Sequence, residues 1–226
     1  MIQFQNVSFS YDKKRPILNG ITFQIGKGES VGLVGANGAG KSTLLKLLLG
    51  LEYGAGEIIV DGIRVEPGTL PEIRRKVGFV LQNSDNQMFM PTVLEDMTFG
   101  LLSAGWSRED AEKKADEVLA HLHLEGLKYR HNHKLSGGEK KMAAIAVVLA
   151  MEPEVIVMDE PVTSLDPYNR KIVTQAILEL PQTRLITSHD LDLIRKVCSR
   201  VILIEQGQIG FDGDPWDESL ERRFFI

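Results

Sequence analysis

The chain has 226 residues, 43% apolar and 25% charged, which is enough to bury a core as one domain with a small inserted subdomain. Its 26 Lys and Arg against 31 Asp and Glu give a formal net charge of -5, which argues against a broad electrostatic grip on nucleic acid. The longest apolar run, residues 142–151, is too short to span a bilayer, and no charged leader precedes an apolar stretch at the start, so a secreted or membrane-integral chain is not expected.

Residues 2–9 and 18–25 mix Ile, Phe, Val and Thr as strands do, separated by the charged turn at 12–16. They predict an antiparallel lead-in sheet. Tyr11 stands at the end of the first strand, where its ring could stack on a nucleotide base or simply pack at a sheet edge. Residues 29–34 (ESVGLV) form a buried-type strand that feeds Gly35, Ala36, Asn37, Gly38, Ala39, Gly40, Lys41, Ser42 and Thr43, followed by a leucine-rich helix. Strand, glycine loop and helix together fit GxxxxGK[ST] in full. The glycines let successive N–H groups point into one concavity, where they and the positive end of the helix hold phosphate oxygens. Lys41 adds a cation for the terminal phosphates, and Ser42 places a hydroxyl where it can ligate magnesium.

Residues 56–62 read as a further strand with a turn, and 76–81 (KVGFVL) as a buried strand ending at Gln82. From about 84 to 150 the texture is helical and charged, the candidate inserted subdomain. Within it, Ser107 followed by Asp110 starts a helix whose core stripe is Ala111, Ala115, Val118, Leu119 and Leu122. His121, His123, His131 and His133 lack the carboxylate or cysteine companions of a metal cluster. Leu135, Ser136, Gly137, Gly138 and Glu139 precede an alanine- and valine-rich helix, so a hydroxyl and bare N–H groups stand at a second anion-attracting helix end, or a plain cap.

Residues 154–161 (EVIVMDEP) then form a buried strand that delivers adjacent carboxylates at its end. Asp159 can hold magnesium through water. Glu160, pointing the other way by strand alternation, can orient or deprotonate a water that attacks the terminal phosphate. Ser164, Leu165 and Asp166 open the next helix, with Asp166 before Pro167 already a full capping explanation. Pro181 stops that helix, 183–187 is a short buried strand, and His189 follows with Asp190 as cap of a helix over 191–198. Cys198, the sole cysteine, excludes an internal disulfide and reads as a small apolar residue. In a parallel sheet the C-terminal strand ends share one edge, so Ser42, Gln82, Asp159, Glu160 and His189 could converge on one ligand. A hairpin around Gly207 over 201–211 closes the fold, and 216–226 is too short for another domain.

Taken in order, GANGAGKST, Gln82, LSGGE, VIVMDEP, SLD and His189 closely resemble the nucleotide-binding subunits of ABC transporters over almost the whole chain. LSGGE separates this family from phosphate-loop kinases and GTPases. The resemblance implies an α/β fold: a mostly parallel phosphate-loop NTPase sheet core, an antiparallel N-terminal β subdomain and an inserted α-helical subdomain, in a single ATPase domain over 1–226. It makes Tyr11 the base-stacking aromatic and Gln82 the magnesium and water contact that senses the membrane partner. Lys41, Glu160 and His189 become the catalytic set, with Glu160 the base and His189 the terminal-phosphate switch. Leu135 to Glu139 would contact the ATP of a second subunit in a head-to-tail dimer, with Ser164 to Asp166 at the junction. Residues 161–164 (PVTS) depart from the pattern more usual after the Walker B glutamate, and Ser188 stands where threonine is common, without removing a catalytic group.

The run Gln82 to Phe89, with 92–96 (TVLED) and Phe99-Gly100, looks like the segment after the glutamine loop in the energy-coupling factor ATPases of cobalt, nickel and vitamin uptake. There it forms a short helix beside the groove that receives helices of the transmembrane component. The resulting expectation is an ATP- and Mg2+-dependent motor, peripheral on the cytoplasmic membrane face. It would work with a transmembrane subunit and a substrate-capture membrane protein, as a homodimer or paired with a related ATPase, and without nucleic acid. A non-transport ABC ATPase working on ribosomes or nucleic acid, or an exporter subunit, is the rival reading.

Overall fold

The computed structural model describes residues 2–12 and 16–224. The middle of the expected charged turn, Lys13 to Arg15, lies outside them, as do Phe225 and Ile226. In chain order the strands and helices are β1 (Ile2–Phe9), β2 (Leu18–Ile25), β3 (Ser30–Val34), α1 (Lys41–Leu48), β4 (Ala55–Val60), β5 (Ile63–Arg64), α2 (Leu70–Lys76) and β6 (Val77–Val80). There follow α3 (Val93–Ser103), α4 (Arg108–His121), α5 (Gly137–Ala150), β7 (Val155–Asp159), α6 (Pro167–Glu179), β8 (Thr183–Thr187), α7 (Leu191–Val197), β9 (Arg200–Glu205), β10 (Gln208–Gly213) and α8 (Glu218–Phe224). They divide into two compact units, one of Met1–Val77, Glu154–Glu160 and Pro181–Ile226, the other of Gly78–Pro153 and Pro161–Leu180.

The first unit holds two sheets. One is antiparallel in the order β2-β1-β4-β5, so the lead-in pair of β1 and β2 gains β4 on its other side. Phe4 and Phe23 sit opposite each other in the β1–β2 register and stack with ring centroids 4.4 Å apart. In the other, β9, β3, β8 and β7 run parallel in that order, with β10 antiparallel on β9. Every residue of β3 is buried, as expected of a strand covered on both faces. Because these strands are parallel, Val34, Asp159 and Thr187 all finish at one edge, and Thr187 pairs in register with both Leu33 and Asp159.

The second unit is helical and wider than the 84–150 stretch, since α6 belongs to it. Helix α4 begins at Ser107, whose side chain accepts the Asp110 N–H, and buries Ala111, Ala115, Val118 and Leu119. Helix α3 has a capping box in which Thr92 and Glu95 satisfy each other's backbone N–H groups. Cys198, in the first unit, is buried, and that burial pushes its thiol up to about 12 against the opposing effects of Ser30 and Arg184.

Candidate functional site

The loop from Gly35 to Gly40 leaves the buried end of β3 and turns directly into α1. Gly40 stands at the helix start with φ +110° and ψ 1°, a conformation that penalises any side chain, and a Cβ there would lie 2.6 Å from Leu18 Cδ2. Among the described residues no side chain caps this helix, so no side chain satisfies its first N–H groups. Ala36, Asn37 and Gly38 are exposed, whereas Ala39, Gly40, Lys41 and Thr43 are buried and Ser42 faces outward. The Lys41 ammonium donates to the loop's own carbonyls, Gly35 O at 2.6 Å and Ala36 O at 3.2 Å. Burial pushes its pKa below the ordinary lysine value, opposed by the negative charges of Glu160 and Asp159. A cation under this strain from burial gains from any additional anion.

Those anions stand at the end of β7. Thr187 Oγ1 donates to Asp159 Oδ1 at 2.5 Å and accepts the Glu160 N–H at 3.2 Å, so one hydroxyl fixes both acids. The strand stops at Asp159, and Glu160 is left-handed with φ +46°. Strand alternation therefore does not set its direction, which corrects the reading from sequence. A non-glycine residue held there costs about 1–3 kcal/mol and persists only where its surroundings over-determine it. The surroundings are visible: Glu160 Oε2 lies 2.9 Å from His189 Nδ1 and accepts the Ser188 hydroxyl at 3.3 Å. Glu160 is 8% exposed, so it is a buried acid and not a solvated charge. His189 keeps 60% of its side chain exposed, and Asp190, the cap of α7, donates its N–H to Ser188 Oγ.

Lys41, Asp159, Glu160 and His189 thus gather at one edge of one unit, with Thr187 and Ser188 as their supports. Of these two supports, Thr187 was readable only as the end of a strand; its position beside both β3 and β7 comes from sheet pairing. Tyr11, in the same unit, is 56% exposed two residues past β1, its ring edge against Phe9 and the Lys46 ammonium 5.7 Å from its centroid. The ring is thus half exposed, yet it packs on Phe9 at the end of β1 and carries the Lys46 ammonium over it. Hard oxygen donors, the Ser42 hydroxyl and the Asp159 carboxylate, are the kind magnesium takes, and they fit that ion better than any softer metal.

Gln82, Leu135 to Glu139 and Ser164 to Asp166 belong to the second unit. Gln82 is exposed and lies beyond β6, which ends at Val80 and not at Leu81. Ser136 caps α5 in a capping box, its hydroxyl accepting from Glu139 N while Glu139 Oε2 accepts the Ser136 N–H at 2.8 Å. That backbone N–H, then the Ser136 hydroxyl and the Arg130 charge, hold the Glu139 carboxyl below its ordinary pKa. Gly138 fits tightly: a Cβ there would come within 2.0 Å of Asn169 Oδ1, whose residue donates to the Asp166 cap of α6. A Cβ on Gly137 would meet Leu165 Cδ2 at 4.0 Å, so the starts of α5 and α6 adjoin. Ser164 is again left-handed, φ +66°. Phe89 and Phe99, 64% and 45% exposed, meet edge to face with centroids 5.2 Å apart.

A family model described as ABC transporter matches residues 18–163. An energy-coupling factor transporter ATP-binding protein, EcfA of Methanothermobacter thermautotrophicus, is 43% identical over 221 residues, covering 95% of this chain and 71% of its own. The structure of cbiO1 from Clostridium perfringens, part of the ABC transporter complex cbiONQ, is similar with a TM-score of 0.89 and 31% identity, covering 99% of this chain and 92% of that one. A dimeric post-hydrolysis state of the cassette MJ0796 bound to ADP and Pi has a TM-score of 0.84 at 28% identity, covering 96% of this chain and 100% of that one. No helix among the described residues is long and apolar enough to cross a membrane. The chain belongs to the ABC transporter family, as an ATP-binding and ATP-hydrolysing subunit.

Proposed function

We propose that the chain powers import of a metal ion or vitamin, docked on the cytoplasmic membrane face against a separate transmembrane protein. The observation that carries the coupling half of this reading is the exposed Phe89–Phe99 pair, which follows Gln82 in sequence. Aromatic pairs left in water at this exposure are the residues that anchor partner surfaces. EcfA and cbiO1, named for transporters of the energy-coupling factor and cbiONQ kinds, support the importer class.

In the engine, the loop from Gly35 to Thr43 and the Lys41 cation bind the phosphates, and Tyr11 offers its ring to the base. Glu160, backed by His189 and Ser188, orients the attacking water and takes its proton. His189, through its exposed ring, holds the terminal phosphate as charge moves onto the leaving oxygen. Ser42, Asp159 and Gln82 are the residues that would hold magnesium, an ion that would supply positive charge for the last phosphates. The chain acts in a head-to-tail dimer, with a second copy or a related ATPase, in which Leu135 to Glu139 faces the partner's ATP and Ser164 to Asp166 lies at the junction.

Tagging the chain in native membranes, solubilising gently and identifying copurifying proteins by mass spectrometry tests the reading. A small helical membrane protein together with a separate substrate-capture protein is the expected result. Ribosomes or soluble partners alone would replace transport with another use of the same ATPase.

A further inference from the structure

Lysine is among the residues least often buried, yet Lys141 is 3% exposed. Burying an ammonium is unfavourable unless polar groups meet it. Here Nζ donates to two consecutive carbonyls, Leu81 O at 2.8 Å and Gln82 O at 2.8 Å. Consecutive carbonyls point to opposite sides of an extended strand, so one ammonium reaches both only because the chain turns once β6 has ended at Val80. The other side of the same short stretch is also held. The Leu81 N–H donates to Gln87 Oε1 at 3.0 Å, and Gln87 Nε2 donates to Ala144 O at 3.0 Å. Lys141 and Ala144 are one turn apart on α5, the helix that Ser136 caps. A paired Lys140 and Asp85 adds a surface tie between the same helix and the segment after Gln82.

We propose that Lys141 is a positioning residue for Gln82. By gripping the carbonyls on both sides of the Gln82 N–Cα unit, it fixes the direction in which that side chain leaves the backbone and locks the segment to the signature helix. Two charge-assisted bonds from one donor restrain the backbone more than neutral ones would. A shift at Gln82 is thereby delivered to the Ser136 to Glu139 end of α5 as motion of one body. The proposal rests on the reading of Gln82 as a nucleotide-site residue given above.

The test is a double-variant cycle in ATPase kcat/KM with Gln82→Ala, Lys141→Met and the pair together. The expected result is a loss of about tenfold for each single variant and less than about twofold more for the pair, because both act through one group. ATP affinity, read by equilibrium dialysis, stays within about threefold of the parent, since the loop from Gly35 to Thr43 is untouched. Lys141→Arg, which keeps a cationic donor on the helix, is expected to recover part of the kcat/KM that Lys141→Met loses. Should Lys141→Met fail to fold, Gln87→Met cuts the opposite stitch and carries the same non-multiplying loss. Parent-like turnover in Lys141→Met, or losses that multiply in the pair, overturns the positioning role while leaving Gln82 its function. Parent-like turnover in Gln82→Ala overturns the reading of Gln82, and the positioning role with it.

Discussion

At the residue scale the decisive feature is an acid that is buried, left-handed and paired. Glu160 is held at φ +46° by Thr187 below and by His189 and Ser188 at its carboxylate. Glu160→Gln keeps the size and one acceptor oxygen but removes the basicity. Nucleotide affinity is expected to stay within about threefold while turnover falls at least tenfold, about 1.4 kcal/mol in the barrier. Single-turnover phosphate release against equilibrium binding separates the two, and near-parent turnover sinks the role of base. The acid itself was legible, because two adjacent carboxylates after VIVM demand a reason. Its direction was not, because alternation governs residues inside a strand and Glu160 is one step beyond. Lys141 was illegible for a related reason. A lysine in a helix beside another lysine reads as a solvated face, and only the packing of α5 against the end of β6 reveals a buried donor.

At the element scale, the caps were the most readable part of the chain, since they depend on neighbours within four residues. Ser107, Asp166 and Asp190 each cap the helix expected of them. The joining of β4 to β1 was not readable, because pairing across so long a connection leaves no local mark. The cap of α5 makes a pH prediction. Glu139 has its pKa depressed in the folded chain, chiefly by the Ser136 N–H. A depressed carboxylate contributes stability that is complete above its unfolded pKa and is lost as pH falls through its folded pKa. Urea midpoints should therefore drop more steeply in the parent than in Glu139→Gln between about pH 4.5 and pH 3. Gln still closes the capping box, so the two proteins should differ little at pH 7. Equal slopes would mean that the Glu139 carboxylate is not the group that α5 loses in acid.

At the scale of the whole molecule, the fold class was legible because motifs with fixed neighbours, strand then loop then helix, punctuate the chain from Gly35 to His189. The division of labour follows from the two compact units. The phosphate loop, Asp159, Glu160 and His189 lie in one, and LSGGE lies in the other. In a head-to-tail dimer each ATP would draw on the first unit of one copy and the second unit of its neighbour. Defects in the two units should then complement each other. Lys41→Ala is expected to cripple phosphate binding, and Ser136→Arg puts bulk and charge at the exposed start of α5 without touching the loop. Each variant alone is expected to lack turnover, although Ser136→Arg should bind ATP like the parent. A mixture of equal amounts forms mixed dimers in which one site has an intact loop from one copy and an intact signature from the other. If half the dimers are mixed and each has one working site of two, turnover recovers to roughly a quarter of the parent. Recovery near that level makes two copies of this chain a sufficient motor. An inactive mixture assigns the second signature to a different ATPase, and adding that protein rather than a second variant would then restore the site.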